Sequence, residues 1–180
     1  MFKVLDEVCQ PTRATKYSAM VDLYAREEVT IAAGETKIVP LGVKIDIDEL
    51  DVDLNGDYKF ARRNNACDET LIRIHKQQKD NFMKSHFLEL HPRSSLRAKG
   101  LIIGVGVIDL DYPDEIGLIL HNPIKKFDTL IRFFGLGFMR NYKINKGDKV
   151  AQCTLVEHKG YLMGIESDTE RVGGFGSSGK

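Results

Sequence analysis

The sequence has few cysteines and no metal-ligand spacing among its histidines, and both absences exclude classes of protein. Cys9, Cys67 and Cys153 are widely spaced and form no CxxC pair. This spacing argues against a disulfide framework and against a zinc site, and it is typical of a reducing compartment. The five histidines show no HExxH or similar arrangement.

An excess of charge is also absent. The 26 lysines and arginines balance 26 aspartates and glutamates, which gives a formal net charge of zero. A protein that grips nucleic acid by bulk electrostatics normally carries a basic excess, so we predict no nucleic-acid partner. Small anionic ligands stay open, because a few local cations suffice to bind them.

The chain has no long apolar run. Arg132 interrupts the stretch from Leu130 to Phe138, and Met1 is followed by a charged, mixed segment rather than an apolar one. We therefore predict no membrane span, no signal peptide and a cytoplasmic location. A length of 180 residues suits a single domain, residues 1–180.

Short β-rich runs with turn residues between them dominate the remaining pattern. Residues 29–34 and 37–47 are two such runs, and residues 86–91 alternate apolar and polar side chains as a strand does. This rhythm predicts an all-β sandwich or barrel.

One helix is predicted, over residues 65–84. Asn65 could cap it, and Asp68 and Glu69 suit its first turn. We interpret it as a surface helix packed on the barrel, with a docking element for another protein as the alternative.

Two motifs resemble ligand loops without completing them. Asp51–Gly56 matches the start of an EF-hand, but its twelfth position is Arg62 rather than a bidentate glutamate, so Asn55-Gly56 is better explained as a hairpin turn. The tail from Gly174 nearly fits a P-loop, yet no Ser/Thr and no helix follow Lys180, so we reject an NTPase.

The chemistry of the chain is concentrated between Gly104 and Ile116. Glycines and β-branched residues lead to Asp109, Asp111 and Tyr112, and a second apolar run follows the turn. Apolar runs on both sides of a turn predict a β-hairpin. Since Gly104 lacks a Cβ, a flat ligand could approach the main chain there. On this stretch alone, a solvent-facing turn with polar edge acids is the favoured interpretation.

Four further blocks change that interpretation. The five blocks occur in the order 17–23, 91–96, 104–116, 147–152 and 171–179. In this order they resemble the five motifs of the trimeric dUTP pyrophosphatase (dUTPase) family, over most of the chain. The resemblance implies a distorted jelly-roll or β-barrel fold, assembled as a homotrimer with three shared sites. Two insertions, at about 48–84 and 123–141, and a mobile C-terminal arm, 166–180, would be added to it.

The resemblance also implies an activity, the hydrolysis of dUTP to dUMP and pyrophosphate. Asp109, at the end of a strand, is our candidate for the base, and in the family the matching acid activates water for attack on the α-phosphate. A triphosphate needs a divalent cation to offset its charge. The cofactor implied is Mg²⁺, held mainly by the phosphates, with Asp22 touching its water shell.

The remaining motif residues would bind the nucleotide. Main-chain groups of the central block would read the uracil edge, and these belong to Gly104, Val105, Gly106, Val107 and Ile108. Tyr112 matches the tyrosine that packs under the sugar, and Phe175 the aromatic that covers the uracil. Side chains and backbone N–H groups would hold the phosphates, and these belong to Arg93, Ser94, Ser95, Gln152, Arg171, Gly176, Ser177 and Ser178.

Two alternatives stay open. A dCTP deaminase of the same fold would need a glutamate on the cytosine ring, for which Glu115 is the nearby candidate. A non-enzymatic regulator would instead bind a protein partner through the two insertions.

Overall fold

The computed structural model describes residues 1–47, 61–123, 141–165 and 173–174. Strands dominate these ranges, which confirms the predicted all-β class. The strands are β1 Phe2–Val4, β2 Val21–Tyr24, β3 Val29–Ile31, β4 Thr36–Pro40, β5 Val43–Ile45, β6 His86–Pro92, β7 Gly106–Asp109, β8 Gly117–His121, β9 Tyr142–Ile144 and β10 Lys149–Glu157. The helices are α1 Asp68–Ser85 and α2 Ser94–Ala98, with short 3-10 turns at Glu7–Cys9 and Gly160–Met163.

The largest sheet has the antiparallel order β2-β10-β6-β7, and three two-stranded sheets, β1-β5, β3-β9 and β4-β8, pack with it. Within the described ranges these sheets do not close into a barrel. Alternate residues of β6, Leu88, Leu90 and Pro92, are buried. The period-2 pattern in the sequence therefore predicted this strand correctly, and the strand extends one residue further.

The core lies between the sheets. Side chains of β4, β5 and β8 and of their flanking residues are almost fully buried there, among them Val39, Leu41, Val43, Ile116, Leu118 and Leu120. Burial of each such side chain stabilises the fold by about 1.5–3 kcal/mol. This packing fixes the start of β8, which directly follows the central block 104–116.

The predicted hairpin around Asp109 is wrong. β7 pairs with β6, in the register Phe87 with Asp109, whereas β8 pairs with β4, in the register Ile38 with Ile119. Glu115, just before β8, binds the turn between β4 and β5, since its carboxylate accepts hydrogen bonds from the Gly42 N–H at 2.7 Å and from Arg26 at 2.8 Å. The chain between β7 and β8 thus crosses from one sheet to another.

Helix α1 lies where the sequence predicts a helix, but Asn65 does not cap it. The helix begins at Asp68 after the N-cap residue Cys67, and Asn65 lies in the preceding turn with φ of 55°. The helix buries Gln78 and Phe82 and ends at Ser85, where the chain continues directly into β6. No helix within the described ranges is both long enough and apolar enough to span a bilayer.

Several predictions lie outside the described residues. These are the Asn55-Gly56 turn, most of the insertion at 123–141, and most of the arm at 166–180.

Candidate active site

A cavity of about 320 Å³ lies between β7 and β8. All five main-chain residues predicted to read a base line it, together with Tyr112 and residues of the facing strand. The full lining is Leu90, Gly104, Val105, Gly106, Val107, Ile108, Tyr112, Ile116, Gly117, Leu118 and Ile119. Because β7 and β8 belong to different sheets, the space between them stays open instead of closing as a ladder.

Tyr112 forms one end of this cavity. Its N–H donates to the Asp109 carbonyl oxygen at 3.1 Å, which closes a tight turn, and its side chain is 7% exposed. Gly174 of the C-terminal segment packs on the tyrosine ring so closely that a Cβ there would overlap its Cε2, Cζ and Oη atoms. Only glycine fits at this contact, so Gly174 lies against the ring that is predicted to pack under the sugar.

Asp109, the predicted base, is the last residue of β7, and its side chain is exposed. It lines a second cavity, of about 390 Å³, whose other walls come from α1, the start of β6 and the segment after β10. The lining is Asp80, Met83, Lys84, His86, Asp109, Leu110, Asp111 and His158. Helix α1 thus borders the predicted base, whereas the sequence predicted only a surface helix packed on the barrel.

A third cluster surrounds Asp22 on β2. Its carboxylate is 1% exposed and accepts hydrogen bonds from Lys149 Nζ and from Gln152 Nε2, each at 3.0 Å. Arg93 Nη1 lies 3.9 Å from the same carboxylate. The Arg93 and Lys149 side chains keep 32% and 39% of their surface exposed, so cationic groups remain available to an anion. The predicted Asp22, Arg93 and Gln152 therefore lie together.

Lys149 belongs to this cluster although it was not among the predicted site residues. Lys149 pairs with Tyr24 and Ala151 with Leu23, so Val150 is an extra residue in β10. In a regular strand, residues 149 and 152 would face opposite sides of the sheet, and the bulge turns both toward Asp22. The sequence does place a lysine inside the fourth block, but whether its side chain faces Asp22 depends on the bulge.

We predict that Asp22→Asn lowers the free energy of unfolding by about 1–3 kcal/mol at pH 7. Burial raises the pKa of Asp22, but hydrogen bonds from Gln152 and Lys149 and the charge of Arg93 outweigh it, and the net pKa lies below the ordinary 3.8. The stabilisation is therefore full above about pH 4 and is lost as the pH falls through the folded-state pKa. Urea unfolding of both proteins should show a difference that shrinks in acid, and a constant difference would contradict this account.

The surroundings of Asp22 do not fit contact with a hydrated cation. Both carboxylate oxygens already accept hydrogen bonds from side chains, and the group is almost inaccessible to water. Among residues 1–47, 61–123, 141–165 and 173–174, no group of three or more His, Cys, Asp or Glu side chains could hold a metal ion. Burial also raises the pKa of the Cys153 thiol to about 12, which excludes it as a nucleophile near neutral pH.

The Asp22 cluster and Asp109 are far apart within one chain. Asp22 pairs with Gln152 and Gln152 with His91, whereas Asp109 pairs with Phe87, four residues along β6. Asp22 on β2 and Asp109 on β7 are three strand spacings apart across the sheet and four residues apart along the strands. Regular strand geometry therefore places their Cα atoms about 20 Å apart. The α- and γ-phosphates of one nucleotide are much closer to each other than this.

The other predicted phosphate ligands are only partly described. Ser94 and Ser95 are exposed in the first turn of α2, beside Arg93. Arg171, Phe175, Gly176, Ser177 and Ser178 lie outside the described residues, and their roles stay predictions.

Comparison with known proteins gives one family. The family model described as dUTPase matches residues 50–130. The deoxyuridine 5'-triphosphate nucleotidohydrolase of Kluyveromyces lactis is 39% identical over 95 residues, which span 49% of this chain and 55% of the relative. The enzyme of the same name from Candida glabrata is 28% identical over 94% of this chain and 88% of its own.

Solved structures agree on the fold. A dUTPase from phage phi11 of S. aureus superposes with a TM-score of 0.55 at 19% identity, covering 98% of this chain and 97% of its own. The dUTPase from Streptococcus mutans gives 0.53 at 22% identity, over 87% and 94% of the two chains. These matches agree with the structure of this chain. It has an all-β fold, a cavity lined by the main chain of residues 104–108, and the buried Tyr112 close to Asp109 at the end of β7. The chain is therefore similar to dUTPases both in sequence and in fold.

Proposed function

We propose that this chain hydrolyses dUTP to dUMP and pyrophosphate. The observation that carries the proposal is the cavity between β7 and β8, where Gly104–Ile108 and Tyr112 lie together. Its size suits a pyrimidine nucleoside, and peptide groups of Gly104 and Gly106, which line it, can pair with the uracil edge. Such fixed donors and acceptors reject a mismatched base by roughly 10⁴–10⁵ when buried groups would be left unpaired.

Tyr112 would select deoxyribose. Its ring is buried against the cavity, and the passage of Gly174 across it leaves little space on that side. A ribose 2'-hydroxyl would therefore meet the ring. Phe175, the next residue of the arm, would then cover the base, and closure of the arm would exclude water from the site.

Asp109 would act as the general base. Its carboxylate is exposed at the end of β7, one turn away from Tyr112, so it can reach a water beside the α-phosphate of a nucleotide in the cavity. It would accept a proton from this water as the water attacks the α-phosphorus and pyrophosphate leaves.

The site would be shared between subunits of a homotrimer. The Asp22 cluster supplies Arg93, Lys149 and Gln152, which are suited to the triphosphate, but it lies about 20 Å from Asp109 in the same chain by strand geometry. A second copy of the chain can bring its own cluster to the phosphates, and Arg171 with Gly176, Ser177 and Ser178 would complete the set from the arm.

The divalent ion would enter as part of the substrate. The resemblance to dUTPases implies a divalent metal, and Mg²⁺ bound to the triphosphate is the form that we propose. The buried, doubly hydrogen-bonded carboxylate of Asp22 argues that the phosphates, rather than this side chain, hold the ion. In the cytoplasm such an enzyme would clear dUTP from the nucleotide pool and supply dUMP as the precursor of dTMP.

The proposal is tested by incubating the protein and Mg²⁺ with dUTP, dCTP, dTTP and UTP in turn, and following pyrophosphate and ammonia. Pyrophosphate from dUTP alone is the expected result. Ammonia from dCTP would move the protein to the deaminase branch of the fold, and no product from any nucleotide would favour a binding module that acts on a protein partner.

The deaminase alternative is disfavoured by the position of Glu115. Its Oε1 accepts from the Gly42 N–H at 2.7 Å and its Oε2 pairs with Arg26 at 2.8 Å, so both oxygens are used inside the fold. We predict that Glu115→Gln lowers the melting temperature but leaves pyrophosphate release from dUTP within about twofold of the wild-type rate, since the group lies outside the reaction. Loss of turnover in a folded Glu115→Gln protein would contradict this assignment.

A further inference from the structure

The junction of α1 and β6 holds a histidine against the cavity that contains Asp109. α1 ends at Ser85 and β6 begins at His86. The ring of buried Phe82 stacks on the His86 ring, with 4.3 Å between the centroids. The backbone N–H of His158 donates to the Ser85 carbonyl oxygen at 2.7 Å. The last turn of the inserted helix is thus fixed to β6 and to the end of β10.

Two acceptors determine where the His86 ring carries its proton. Ser85 Oγ donates to the Asn81 carbonyl oxygen at 2.7 Å, so its lone pairs are left for His86 Nδ1 at 2.9 Å. The Phe82 carbonyl oxygen, which can only accept, lies 3.1 Å from the same Nδ1. Nδ1 therefore carries the hydrogen, and the neutral ring has its lone pair on Nε2.

Nε2 is then the basic nitrogen of a residue that lines the Asp109 cavity. His86 and Asp109 line the same cavity, where β6 begins and β7 ends. A cavity of about 390 Å³ is large enough for several bridging waters. The other titratable or charged groups around it are Asp80 and Lys84 of α1, Asp111 of the turn and His158 after β10.

We propose that His86 is a positioning residue that acts through Asp109, because it accepts the proton that Asp109 has taken from water. This inference rests on the proposed hydrolysis. Water forms a bond to the α-phosphorus, and the bond from that phosphorus to the bridging oxygen breaks, so that pyrophosphate leaves with the electron pair. The water proton passes to Asp109 and then, through cavity water, to His86 Nε2 and to solvent. No group is oxidised or reduced, and both side chains return to their starting forms.

The inserted helix has a chemical role under this proposal. Phe82, Ser85 and the Asn81 carbonyl fix the tautomer of His86, and all three belong to α1. The helix therefore fixes the tautomer of a proton acceptor that β6 supplies, in addition to covering surface.

The first test is His86→Asn, because the asparagine Nδ2 takes the place of Nδ1 and can still donate to Phe82, while no basic nitrogen remains at Nε2. We expect near-normal thermal stability, a kcat about tenfold or more below wild type with KM little changed, and a pH–rate profile with one fewer ionisation on its acid side. A folded His86→Asn protein with wild-type kcat across the pH range would overturn the proposal.

His86→Ala is the second variant, and imidazole is its probe. Restoration of part of the lost kcat by added imidazole supports the proton role, whereas a rate unchanged by imidazole, with a folded His86→Ala protein, counts against it. This variant also decides the question if His86→Asn fails to fold.

His158→Asn is the matched control. His158 lines the same cavity, but its Nδ1 accepts from the Gly160 N–H at 3.0 Å, so its lone pair is already used. Its kcat should stay within about twofold of wild type, and a loss equal to that of His86→Asn would overturn the specific role of His86. Wild type and Asp109→Asn are assayed in parallel: a wild type inactive on dUTP refutes the proposed function itself, whereas an active wild type matched by His86→Asn refutes only this inference.

Discussion

Asp109→Asn is expected to reduce the turnover of dUTP by about 10²–10⁴ while binding of the nucleotide is retained. The amide keeps the size and position of the carboxylate at the end of β7, but it cannot take a proton from water. Because the cavity between β7 and β8 and the Asp22 cluster are untouched, titration calorimetry with a non-hydrolysable analogue of dUTP should give a dissociation constant close to that of wild type.

Asp114→Asn provides the control for this experiment. Asp114 is also exposed and lies in the turn after Pro113, so the variant removes the same charge five residues away. It should turn over dUTP at close to the wild-type rate. Residual turnover by Asp109→Asn equal to that of Asp114→Asn would remove Asp109 as the base.

Mixed assembly of two inactive variants is expected to restore activity. Arg93→Met removes a charge-assisted contact to phosphate, worth about 1.5–3 kcal/mol, and Asp109→Asn removes the base. If each site takes Asp109 from one chain and Arg93 from its neighbour, about one third of the sites are intact in trimers that contain both variants. Co-expression with two different affinity tags, followed by tandem purification, yields the mixed protein for assay.

The control is a mixture of the two variants that were assembled separately. Without exchange of subunits it should be as inactive as its parents. Mixed trimers that stay equally inactive would show that the two clusters do not serve one nucleotide across a subunit boundary.

The fold was predictable from sequence as far as local pattern reaches. The β-rich runs at 29–34 and 37–47 predicted the region of β3, β4 and β5, alternation over 86–91 predicted β6, and the distribution of charge predicted α1. Pairing was not predictable in the same way: β7 pairs with the strand before it, but β8 pairs with β4, about 80 residues earlier in the chain. Period-2 alternation fixes which face of a strand is buried and says nothing of its partner, so the hairpin prediction failed.

The candidate site was also only partly predictable from the sequence. Motif order brought out the residues of the base cavity and three members of the Asp22 cluster, because residue type and order are written in the sequence. Lys149 was missed because its orientation depends on a bulge in β10. The proximity of α1 to Asp109 was missed because it follows from the register of β6 with β7 rather than from any motif.

The most direct test of the account is hydrolysis of dUTP in water enriched in ¹⁸O, with mass spectrometry of both products. Water placed by Asp109 beside the α-phosphorus predicts ¹⁸O in dUMP and none in pyrophosphate. Label in pyrophosphate would mean attack at the β-phosphorus, and unlabelled dUTP recovered intact would mean no hydrolysis. Either result would contradict the assignment of this site.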